Sequence, residues 1–90
     1  MTMVCKRVLY SGRVQGVGFR YTVQHLAERF PIAGYVRNLP SGEVELVAEG
    51  PAEPVDGFLA AVAARMAGYI EQAAVREAMP AGHKGFRITH

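Results

Sequence analysis

Ninety residues, half of them apolar and a fifth charged, suit one compact domain around one core, because separate cores need longer chains. Ten basic side chains against eight acidic ones leave a net charge of +2, too weak for the continuous basic face that grips nucleic acid. No run approaches the roughly eighteen apolar residues of a membrane span, and Met1–Arg7 leads into no secretory stretch, so the expectation is a cytoplasmic monomer that binds neither nucleic acid nor membrane.

Val4–Ser11 has the β-branched and aromatic content of a strand, with Val8 and Tyr10 as its buried side. Cys5, the only cysteine, cannot form an internal disulfide, lacks the paired spacing of a zinc site and reads as a packing residue. Val23, Leu26, Ala27 and Phe30 fall at i, i+3, i+4 and i+7, which predicts a helix over about Arg20–Arg29, stopped by Pro31.

Gly34–Asn38 reads as a short strand, and Leu39, Pro40, Ser41 and Gly42 supply the turn of an antiparallel hairpin. Beyond that turn Val44, Leu46 and Ala48 alternate with Glu43, Glu45 and Glu49, the pattern of a strand with one face in water. After Pro54, the spacing of Val55, Phe58, Leu59, Val62, Ala63 and Met66 predicts a second amphipathic helix, with Gly68 as its terminator. Tyr69–Ala78 follows as an edge strand and Gly85–Thr89 as a short closing one, Phe86 and Ile88 inward. The order βαββαβ plus a final strand implies an α+β ferredoxin-like sandwich, two helices on one face of a mainly antiparallel sheet. That fold serves many functions, so function has to come from a site.

Gly12–Arg20 joins the first strand to the first helix, where unpaired amides and the helix dipole attract anions. Gly16 and Gly18 let a ligand approach the main chain, and Arg20 adds a planar fork matched to phosphate oxygens. A Walker loop would need Gly-Lys-Ser/Thr, and a dinucleotide fingerprint would need glycine where Tyr21 stands. Spacing alone favours a merely flexible turn, with Arg20 in a surface ion pair and Asn38 as a turn residue before Pro40. His25, His83 and His90 are scattered and read as solvated, while Val14, Val17, Phe19 and Val36 read as packing residues.

The run Gly12-Arg13-Val14-Gln15-Gly16-Val17-Gly18-Phe19-Arg20 resembles the acylphosphatase signature Gly-x-Val-Gln-Gly-Val-x-Phe-Arg at every defined position. Gly34-Tyr35-Val36-Arg37-Asn38 and Gly42-Glu43-Val44 resemble the family's second element, and Gly85-Phe86-Arg87-Ile88 its closing strand. The resemblance covers essentially the whole chain and implies the ferredoxin-like fold. It also implies hydrolysis of the carboxyl-phosphate bond of acyl phosphates to a carboxylate and inorganic phosphate, by water attack without metal, cofactor or covalent intermediate. On that resemblance Arg20 binds phosphate, Asn38 orients the water, and the amides of Gln15, Gly16, Val17, Gly18, Phe19 and Arg20 form the phosphate loop. The chain departs from the family at Ser41, where Asp is common, and at Thr89 and His90, where relatives often end in an aromatic residue.

Two other readings compete. A ferredoxin-like sheet with exposed aromatics binds single-stranded RNA by stacking, but the aromatic run here lies in a loop. A hydrogenase-maturation protein opens with a similar loop and continues into cysteine-rich segments. None follow in this sequence, so the expectation is a free-standing enzyme.

Overall fold

The computed structural model describes residues 2–90. The elements are β1 (Met3–Gly12), α1 (Phe19–Ala27), β2 (Ala33–Asn38), β3 (Val44–Pro51), α2 (Ala52–Arg65), β4 (Ile70–Ala78) and β5 (Phe86–Ile88). The five strands form one sheet in the order β4-β1-β3-β2-β5, antiparallel except where β5 runs parallel to β2. This is the ferredoxin-like arrangement that the element order implies.

Alternation along the strands sets the two faces of the sheet. Val8 and Tyr10 of β1, Val36 of β2 and Val44, Leu46 and Ala48 of β3 join Val23 and Leu26 of α1 and Val55, Phe58 and Val62 of α2 in the core. Phe58 is its pivot, with ring centroids 5.9 Å from Phe30 and 5.4 Å from Phe86. Each fully buried side chain of this kind contributes about 1.5–3 kcal/mol, so both helices are bound to the sheet through their apolar stripes.

The helix boundaries differ from the sequence reading for local reasons. Helix α1 ends at Ala27, and the next turn tightens as the amides of Glu28, Arg29 and Phe30 bond back to His25, Leu26 and Ala27. Phe30 still reaches the core, so the apolar stripe outlasts the helix proper. Helix α2 starts before Pro54, because a proline in the first turn has no amide that the helix needs. Gly68 does not terminate it: the helix ends at Arg65, and Gly68 is not among the glycines with positive φ.

The largest departure lies on β3. The alternating glutamates predict a wet outer face, yet Glu45 is 2% and Glu49 7% exposed. β3 is the central strand, and its outer face is roofed by side chains and a loop. Glu45 accepts from Arg7 Nε at 2.5 Å and Arg37 Nε at 2.6 Å. Glu49 accepts from the amides of Ala81 at 2.6 Å and Gly82 at 3.0 Å, which straps the β4–β5 connection across the sheet. Burial by itself would raise the Glu45 pKa, but hydrogen bonds from Arg7, Arg37 and Tyr35 outweigh it and hold the carboxyl below its ordinary range.

Candidate active site

The β1–α1 loop is anchored in the core at both ends. At its start the Arg13 amide donates to Tyr69 O at 2.9 Å, and Val14, 1% exposed, plugs into the core. At its end Phe19 is equally buried, its ring 5.2 Å from that of Tyr10. Residues 15–18 must therefore arch outward between two fixed points. Gly16 and Gly18 make the arch, each at φ 76°, a left-handed conformation that side chains rarely adopt.

Gly18 is also the residue from which α1 springs, and its carbonyl accepts the Thr22 amide at 3.0 Å. Among the described residues no acceptor takes the amides of residues 15–20. No acidic side chain sits in the first turn of α1 to answer its dipole. The loop thus presents a row of amides, a helix N-terminus and an arginine, since Arg20 is half-buried and pairs with no carboxylate among the described residues. An anion is what such a surface holds.

Gln15 fixes the loop against the β2–β3 hairpin. Its Nε2 donates to Leu39 O and to Glu43 O, 2.9 Å each. The same hairpin is closed by the Leu39 amide on Glu43 O at 2.8 Å. Asn38 ends β2 immediately before this clamp, opposite Val44. Asn38, Gly16, Gly18, Phe19, Arg20, Tyr21 and Val14 consequently line one cavity of about 190 Å³.

The chain matches the family model described as Acylphosphatase over residues 6–88. This chain belongs to the acylphosphatase family. Hydrolysis of acyl phosphates follows from that membership, and the protein is a hydrolase. An acylphosphatase of Methanospirillum hungatei is 48% identical over 68 residues, spanning 73% of this chain and 75% of the relative. The crystal structure of acylphosphatase from Bacillus subtilis superposes with a TM-score of 0.86 at 36% identity, covering 97% of this chain and 99% of that one. A full-length HypF structure in the phosphate- and nucleotide-bound form gives a TM-score of 0.84 at 27% identity, but this chain spans only 12% of it.

Of the residues singled out in the acylphosphatase signature, Gly16, Gly18, Phe19, Arg20 and Asn38 line the cavity, while Val17 packs toward the core. Gln15 is not among the residues lining the cavity; its side chain instead ties the loop to the hairpin. Three contacts were not legible in the sequence, because each joins distant positions. Gln15 meets the hairpin 24 and 28 residues away. His90, read as solvated, has Nδ1 3.5 Å from an Arg20 nitrogen, 70 residues away. His83, also read as solvated, packs edge-on against Tyr35 with centroids 5.7 Å apart, whereas His25 stays exposed beside Glu28. Among the described residues no helix is long and apolar enough to cross a membrane.

Proposed function

We propose that the amides of Gln15, Gly16, Val17, Gly18, Phe19 and Arg20, with the Arg20 guanidinium, hold the phosphoryl group of an acyl phosphate, and that Asn38 orients the water that attacks it. The observation that carries this reading is the single cavity lined by Gly16, Gly18, Arg20 and Asn38. Both ends of the reaction, phosphate and water, then share one small space.

An acyl phosphate is a mixed anhydride, and its leaving carboxylate is already stable. Water adds to phosphorus as the bond to the acyl oxygen breaks. The carboxylate leaves with that electron pair, and both water protons end on the phosphate product, so charge and atoms balance without a side-chain base. Asn38 is no base, but its carboxamide oxygen can accept from the water and fix it in line. The amides and Arg20 stabilise the phosphoryl oxygens as their charge redistributes, in fixed positions that need no reorganisation.

The same reading takes residues 1–90 as one acylphosphatase-like domain acting as a cytoplasmic monomer. A single core cluster drawing on both helices and the sheet supports the first part.

Steady-state hydrolysis of benzoyl phosphate tests the assignment. Arg20→Ala and Asn38→Ala are each expected to lower turnover by about 10²- to 10³-fold, the value of one fixed donor at a developing charge. Arg20→Lys is expected to remain poor, because a point charge does not replace a bidentate fork. Inhibition by inorganic phosphate should weaken in Arg20→Ala and persist in Asn38→Ala. Equal loss of phosphate inhibition in both would contradict the division of roles.

A further inference from the structure

We infer that Tyr21 forms an acyl-group subsite at the mouth of the phosphate cradle, favouring acyl phosphates with an aromatic or extended apolar acyl group over acetyl or carbamoyl phosphate. The inference rests on the reading of the β1–α1 loop as the phosphate site.

Tyr21 is 70% exposed. It follows Arg20 in the first turn of α1 but lies off the buried stripe of Phe19, Val23, Leu26 and Ala27, so the core does not require a large ring there. It nevertheless lines the cradle with Gly16, Gly18 and Asn38. Among the described residues it is the only one that also lines the groove of about 830 Å³ beside α1, with Gln24 and His25. Tyr21 is thus the wall shared by a small cavity and a large one.

A cradle of about 190 Å³ built from amides and a guanidinium suits a phosphoryl group, and the acyl group has to leave it. The groove across Tyr21 shares that wall, and an exposed tyrosine ring there supplies apolar surface. A benzoyl ring or a longer chain covers this surface; an acetyl methyl or a carbamoyl amide is too small to do so. Aromatic pairs prefer offset or edge-on contact at centroid separations of about 4.5–7 Å, which an exposed, adjustable ring permits.

The test compares kcat/KM for benzoyl and acetyl phosphate in the wild type, Tyr21→Ala, Tyr21→Phe and Arg20→Ala. Intrinsic substrate reactivity cancels when each variant's benzoyl-to-acetyl ratio is divided by that of the wild type. The ratio should fall about tenfold in Tyr21→Ala, the effect of one aromatic contact, and be kept within about twofold in Tyr21→Phe, since the ring and not the hydroxyl makes the contact. An unchanged ratio in Tyr21→Ala, equal losses on both substrates, or a ratio lost in Tyr21→Phe would each overturn the subsite. Arg20→Ala is the separate control: if it keeps full inhibition by inorganic phosphate, the cradle reading itself fails, whatever the Tyr21 ratios do.

Discussion

At the scale of single residues, Gln15 ties the chemistry to the scaffold. Its one carboxamide reaches both ends of the hairpin turn, on Leu39 O and Glu43 O. Asn38 is covalently next to the first of these, so the clamp sets the distance from the loop to the side chain proposed to orient the water. Gln15→Ala is expected to lower kcat by on the order of tenfold to a hundredfold, the cost of a displacement near 1 Å, with KM much less affected. Two neutral hydrogen bonds also contribute about 1–3 kcal/mol to stability, readable by urea unfolding. A variant less stable but with unaltered kcat would make the clamp structural only.

At the scale of elements, β3 organises the molecule, because it is buried on both faces and pairs with β1 and β2 together. Its inner face was legible: Val44, Leu46 and Ala48 point where the alternation puts them. Its outer face was not, because a glutamate alternating with aliphatics has the same pattern whether it meets water or arginine. Arg7 lies 38 residues from Glu45, and only strand pairing brings them together. Arg37 sits directly opposite Glu45 on β2, with its guanidinium 5.8 Å from the Tyr35 ring centroid.

Glu45→Gln is therefore expected to cost about 1.5–3 kcal/mol at neutral pH, the range for hydrogen bonds to a charged group. The lower half of that range is the expectation, since both arginine side chains are about two-fifths exposed and partly screened. The folded pKa of Glu45 lies below the ordinary value that the carboxyl has in the unfolded chain. Its contribution is then fully present above that value and lost as pH falls through the lower folded pKa. Urea unfolding at about pH 7 and about pH 3 should show the wild type and variant converging in acid. A gap of constant size would mean that the carboxylate's charge contributes nothing.

At the scale of the whole molecule, the sheet carries its helices on one face and the site at one end, where β1 hands over to α1 and the β2–β3 hairpin turns. The helix stripes and turn glycines made the element order readable, and the run from Gly12 to Arg20 made the loop readable. Strand order was less so, because no residue in Gly85–Ile88 specifies that β5 joins the far edge parallel to β2. The shared cavity depends on that order, through side chains that long stretches of sequence separate. In the proposed function, the arch between Val14 and Phe19 grips phosphate independently of Asn38. The most direct test is titration of inorganic phosphate into Asn38→Ala protein, followed through the backbone amides by NMR. The expected result is saturable shifts centred on residues 15–20 with affinity close to wild type, and markedly weaker binding in Arg20→Ala. Shifts elsewhere in the molecule, or an undisturbed loop in Asn38→Ala, would contradict the account.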